Sequence, residues 1–102
     1  MDDKELLELA AKAHGSIRFD PMRLAGVMID SETLRDWNPL TDDGDALQLA
    51  VKLQLLIDVG YLVSEVVDGK GAKACEINKS EPYAATRRAI VRAAAEIGRN
   101  MK

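Results

Sequence analysis

The sequence predicts an α+β domain with the order α-β-β-α-β-β-α, in which helices pack on an antiparallel sheet of three or four strands as a sandwich. Two observations support this prediction. Apolar residues recur at helical spacing near the beginning, in the middle and near the end of the sequence. Between these segments lie short runs rich in β-branched residues and separated by turn signals. At 102 residues the chain is expected to form a single domain with its own core.

The first helix is expected to run from Asp2 or Asp3 to about Ala13. An aspartate is a favoured N-cap because its side-chain oxygen accepts a backbone N–H group of the first turn. Gly15 suits the left-handed position that closes a helix. His14, the only histidine, is expected to be a surface residue at the helix end rather than a catalytic base.

A hairpin is expected next, in residues 16–37. Residues 24–29 are predicted to form one strand, residues 30–33 a turn and residues 34–37 a short returning strand. Trp37, the only tryptophan, is interpreted as a buried core residue that holds the loop after it in place, because a large aromatic ring is most often buried.

The chain is organised around an Asn-Pro turn followed by an acidic helix start. Pro39 restricts Asn38 to extended geometry, so that no helix begins before it. Thr41 or Asp42 is expected to be the N-cap. The aspartates near the start of the helix stabilise it, because they lie beside the positive end of the helix dipole. This role as helix-start residues is preferred over a metal site, because the spacing of an EF-hand loop is absent. The aspartates are Asp42, Asp43 and Asp45.

The helix that follows is expected to continue to about Ile57 and to be the core helix. Its apolar arc is wide enough to contact more than one neighbour. The sequence therefore predicts a sheet beneath this helix and, beside it, either a neighbouring helix or a second protomer of a homodimer formed through the apolar flank of residues 47–55.

The last third of the sequence predicts a second hairpin and a long helix. Residues 61–67 and 72–78 are expected to be strands, joined by a glycine-rich turn at residues 68–71. The last helix begins at Ser80-Glu81-Pro82 and is expected to run to about Asn100, and its many alanines should allow close approach to a neighbour.

Three segments of the chain resemble a known family. ELLELAAKA, WNPLTDDGDALQLAVKL and ATRRAIVRAAAEIG, in that order, are similar to segments of small uncharacterised phage and prophage proteins of the phage alpha–beta–alpha sandwich type. The resemblance implies a phage-related origin and a layered fold. It implies no activity, cofactor or catalytic residue.

Charge is distributed unevenly along the chain, whose net charge is −3. Residues 1–69 hold 14 acidic and 6 basic side chains, whereas residues 70–102 hold 3 acidic and 8 basic ones. Either the halves neutralise each other, within the fold or across a dimer, or one face binds a charged partner. The basic candidates on the last helix are Arg87, Arg88, Arg92 and Arg99.

The sequence contains no motif for nucleophilic, metal-dependent or phosphate-binding chemistry. Lys70 lies between two glycines without the rest of a phosphate-binding loop, and Cys75 is a lone cysteine expected to be buried in a strand. An acidic N-terminus and the absence of a long apolar run predict a cytoplasmic protein. No cofactor, metal or small-molecule substrate is expected.

The preferred hypothesis is a non-enzymatic phage or prophage accessory protein that binds another protein, such as a host factor. The alternative is a nucleic-acid-binding protein that uses the basic C-terminal helix. An enzyme with a site at residues 37–45 is ranked last. The candidate interaction surface consists of Trp37, Asn38, Asp42, Asp43, Asp45, Arg87, Arg88, Arg92 and Arg99.

Overall fold

A computed structural model of the protein describes residues 2–19, 28–31, 35–59, 63–67, 73–77 and 81–101. The α+β class and the predicted order of helices and hairpins are confirmed. The elements, in chain order, are α1 (Asp3–His14), β1 (Ile17–Phe19), β2 (Met28–Asp30), β3 (Asp36–Trp37), α2 (Asp43–Lys52), β4 (Leu56–Val59), β5 (Val63–Val67), β6 (Lys73–Ile77) and α3 (Pro82–Arg99).

The described strands form two antiparallel sheets of three strands each, where the sequence pattern predicts a single sheet. In each sheet the strands lie in chain order, so that every strand pairs with its neighbour in sequence. Met28 pairs with Trp37 in the first sheet, and Val67 pairs with Lys73 in the second. The predicted turn at residues 68–71 lies outside the described residues, but the strands on both sides of it are paired as expected.

Helix α1 begins and ends where the sequence predicts. The Asp2 side chain accepts a hydrogen bond from the Glu5 backbone N–H at 2.8 Å. At the other end Gly15 has a φ of 93° and its N–H donates to the Ala11 carbonyl oxygen. His14, however, is buried rather than exposed, and its ring packs edge-on against the Trp37 indole with centroids 5.9 Å apart.

Helix α2 ends at Lys52 and not near Ile57, so the predicted C-terminal boundary is wrong. Gln54 adopts a left-handed conformation with a φ of 56°. The N–H of Gln54 donates to the Val51 carbonyl oxygen, and the N–H of Leu55 donates to the Ala50 carbonyl oxygen. These two hydrogen bonds form a Schellman motif, which normally places glycine where Gln54 lies. The remaining apolar residues of the run then continue as strand β4.

Helix α3 lies at the centre of the molecule, in contact with α1, with α2 and with one face of the β4–β5–β6 sheet. Ala89, Ala93 and Ala94 are fully buried, as their predicted role in close approach requires. Because small side chains leave little distance between helix axes, α1 and α3 form the most extensive helix contact.

Among the residues that the structure describes, no helix combines the length and the apolar composition needed to span a membrane.

Candidate protein-binding groove

The loop before α2 is closed by its own side chains. The Asp45 carboxylate accepts a hydrogen bond from the Asn38 backbone N–H at 2.9 Å, and the Asn38 side-chain oxygen accepts one from Leu40 at 3.0 Å. Trp37 is only 4% exposed and belongs to the core, as predicted from the sequence. Trp37 therefore does not face solvent, and Asn38 and Asp45 engage the loop itself.

The aspartates at the start of α2 have three different tasks. Asp42 is the N-cap, since its side chain accepts a hydrogen bond from the Asp45 backbone N–H at 3.0 Å. Asp43 instead forms an ion pair with Arg87 of α3 at 2.6 Å. Burial raises the pKa of Asp45, and repulsion from Asp42 adds to this rise, while the hydrogen bond from Asn38 opposes it. Across the residues that the structure describes, no three His, Cys, Asp or Glu side chains cluster as a metal site requires.

Each candidate arginine of α3 has a carboxylate partner. Arg87 also donates to the Leu40 carbonyl oxygen at 2.9 Å, and only 19% of its side chain is exposed. Arg88 binds Asp3 at 2.8 Å. Two of these pairs, those made with Asp43 and Asp3, join the acidic and basic parts of the sequence within one fold.

The other two arginines are more exposed and are also paired. Arg92 binds the carboxylate of Glu76 on β6 and donates to the Cys75 carbonyl oxygen at 2.9 Å. Arg99 binds Glu96 one helical turn before it, and this hydrogen bond lowers the pKa of Glu96. The basic face of α3 is thus largely engaged with acidic groups of the same chain. Cys75 itself is exposed, contrary to the expectation of a buried thiol.

An apolar groove lies where α2, β4 and α3 meet. Its volume is about 500 Å³. Leu47 of α2, Val59 of β4 and Tyr83 of α3 line it together and are 58%, 54% and 68% exposed. The other lining residues are Asp43, Ala46, Ile57, Pro82, Thr86, Arg87 and Ile90.

The groove exists because α3 does not cover the whole sheet. A helix is about 10 Å wide, whereas three strands at about 4.8 Å spacing span roughly 14 Å. Helix α3 packs mainly on β5 and β6 and only marginally on β4. Consequently, Ile57 and Val59, which point to the same face as the buried Val66 and Ala74, are left beside α3 and form part of the groove.

The sequence identifies this site only in part. Of the flank predicted to form an interface, residues 47–55, Leu47 lines the groove, but Val51 does not and is exposed elsewhere on α2. Asp43 and Arg87 come together at the rim, while Arg88, Arg92 and Arg99 lie outside the lining. Ile57, Val59 and Tyr83 were not among the candidates, because their proximity depends on where α2 ends.

Comparison of the chain with protein-family models, with curated proteins and with solved structures gave no match. The resemblance to phage and prophage proteins therefore stays a prediction from the sequence.

Proposed function

We propose that the protein acts by binding another protein in the groove between α2, β4 and α3. The observation on which this proposal rests is the exposure of Leu47, Val59 and Tyr83 side by side on one concave surface. Contiguous exposed apolar surface disfavours the free protein in water, and a partner that covers it recovers the hydrophobic free energy.

The polar groups of the groove favour binding over catalysis. Catalytic pockets hold convergent polar groups that are available to a substrate. Here Asp43 and Arg87, both at the rim, bind each other. The remaining surface consists chiefly of aliphatic and aromatic side chains, which suit a protein partner's apolar anchors.

Nucleic-acid binding through the basic C-terminal helix is the alternative function. It requires arginines that can neutralise phosphates. The four candidates each have an intramolecular carboxylate partner, so a phosphate would have to displace that partner. Titration of the protein with duplex and single-stranded DNA at low salt tests this alternative directly.

We also propose that the protein has a phage or prophage origin and a cytoplasmic location, as predicted from the sequence. If both hold, the partner is a protein of the bacterial host or of the phage itself. In this role the protein acts by contact alone and catalyses no reaction.

Affinity capture with matched variants tests the groove. Leu47→Gln replaces an exposed lining residue, whereas Leu56→Gln replaces a residue that is 71% exposed but does not line the groove. We expect a host protein to be captured by the wild type and by Leu56→Gln and to be lost with Leu47→Gln. Equal capture by all three baits, or capture by none, would contradict the proposal.

A further inference from the structure

We infer that the occupant of the groove is an amphipathic helix of a partner protein, with apolar residues on one face and basic residues beside them. This inference rests on the proposed function and deepens it by naming the chemistry of the partner. It follows from the shape of the groove and from the charges at its rim.

The shape of the groove suits a helix. The groove lies over the face of β4, on the side where α3 covers β5 and β6. An added helix would pack beside α3 as a second helix on the same sheet face, with Leu47 and Tyr83 at its sides. An added strand would instead pair with the outer edge of β4, which is an edge strand, and would leave Ile57 and Val59 uncovered.

The charges beside the groove favour a basic occupant. Asp43, which begins α2, lines the groove, and Glu81 immediately precedes Pro82, which also lines it. The Asp43 side chain is 67% exposed although it is paired with Arg87, and Glu81 forms no capping hydrogen bond with its side chain. Lysine or arginine side chains beside the apolar face of the occupant would be attracted to these carboxylates. The net charge of −3 would also attract a basic partner during encounter.

A second copy of the chain fits this surface less well. A two-fold contact apposes the same patch of both copies. Because this patch is concave, such a contact would face one groove with the other and leave space between them instead of filling it. The experiment must therefore distinguish dimerisation through residues 47–55 from the binding of a partner helix.

Three synthetic peptides of about 18 residues, or five helical turns, provide the probe. The first carries leucines at helical spacing on one face with lysines beside them. The second replaces the lysines with glutamates, and the third has the composition of the first but scatters its leucines around the helix. Each peptide carries a fluorescent label, and anisotropy is measured with the wild type, Leu47→Gln and Leu56→Gln at low and high salt.

We expect the lysine peptide to bind the wild type and Leu56→Gln equally, and to bind Leu47→Gln at least about tenfold more weakly, a change of about 1.4 kcal/mol. The glutamate and scattered peptides should each bind the wild type at least about tenfold more weakly. Salt should weaken binding of the lysine peptide. Tyr83→Gln provides a second groove variant, exposed enough that folding should be unaffected, and circular dichroism checks the fold of each variant.

Equal binding of the lysine and glutamate peptides would overturn the basic character of the partner, and equal binding of the scattered peptide would overturn its helical form. Failure of every peptide would overturn the inference as a whole. So would a dimer of the wild type that Leu47→Gln dissociates, as measured by sedimentation. If the peptides fail while Leu47-dependent capture persists, this inference is wrong but the proposed function stands. If capture does not depend on Leu47, the proposed function itself is wrong.

Discussion

Gly98 of α3 lies directly against the backbone of Leu9 in α1: a Cβ atom at Gly98 would stand 1.9 Å from the Leu9 carbonyl oxygen. No side-chain rotation can relieve such a clash, because the neighbouring atom belongs to the backbone of another helix. Gly98→Ala should therefore push α1 and α3 apart and lower the free energy of unfolding by about 3 kcal/mol. Urea denaturation followed by circular dichroism measures this loss.

Gly44→Ala is the matched control for that substitution. Gly44 also lies in a helix, but its Cβ would meet only the Asp42 side chain, at 3.1 Å. Because alanine favours the helix by up to about 1 kcal/mol, the gain and the crowding should nearly cancel. A loss at Gly44 as large as that at Gly98 would mean that the close packing of α1 and α3 is not the cause.

Arg87 should contribute more to stability than Arg99. Arg87 is mostly buried and binds both the Asp43 carboxylate and the Leu40 carbonyl oxygen. Arg87→Gln should lower the free energy of unfolding by about 1–2 kcal/mol, since both partners lose a charged donor. Arg99→Gln, which removes an exposed pair with Glu96, should change it by less than about 0.5 kcal/mol. Equal effects in thermal denaturation would show that the burial of Arg87 does not matter.

Gln54→Gly should stabilise the protein. Gln54 has a φ of 56° in the Schellman motif that ends α2, and left-handed geometry costs a residue with a Cβ about 1 kcal/mol or more. Glycine removes that strain but gains freedom in the unfolded chain, so the net gain should be at most about 1 kcal/mol. Gln54→Ala keeps the strain and is the control. A destabilised glycine variant in chemical denaturation would contradict the left-handed assignment.

Asp45→Asn should change the pH dependence of stability. Burial raises the pKa of Asp45 in the folded protein above its ordinary value of 3.8, so the folded state binds a proton more tightly than the unfolded state. The free energy of unfolding of the wild type should therefore fall as the pH rises through the interval between the two pKa values. Asparagine cannot ionise but can still accept the hydrogen bond from Asn38.

Relative to the wild type, Asp45→Asn should accordingly gain stability as the pH rises from below 3.8 into the neutral range. Denaturation midpoints measured at several pH values give this difference. Asp45→Ala, which also removes the acceptor for Asn38, should be about 1 kcal/mol less stable than Asp45→Asn at every pH. A constant difference between Asp45→Asn and the wild type would mean that the pKa is not raised.

The sequence predicts those parts of the fold that have local signals. Asp2 and Gly15 mark the ends of α1 by side-chain capping and by left-handed geometry, and both are found in those roles. Pro82 begins α3, where a missing N–H does no harm. Such signals depend on a few neighbouring residues and can be recognised without the rest of the structure.

The end of α2 could not be predicted in the same way. Glycine, the usual sign of a helix end, is replaced by Gln54, and the apolar residues that follow continue the pattern without a break. A run of apolar residues fits a helix and a buried strand equally well. The pairing of Ile57 with Val66 makes this segment a strand, and the residues around Ile57 do not by themselves reveal that pairing.

The groove was missed for the same reason. Leu47 and Tyr83 are 36 positions apart in the sequence, and only the turn at Gln54 and the placement of α3 bring them to one surface. The charge pattern was more informative, since the acidic and basic parts of the chain do meet in the Arg87–Asp43 and Arg88–Asp3 pairs.

Helix α3 follows every other described element in the sequence, yet α1, α2 and the second sheet all pack against it. While the polypeptide is being synthesised, the segments made earlier lack the helix against which α1, α2 and the second sheet pack. We expect them to remain largely unstructured until residues 82–99 have been added, and then to assemble together, since the contacts of α3 with α1 and α2 join distant parts of the chain. Truncation within this helix should thus remove cooperative folding altogether rather than trim one edge of the molecule.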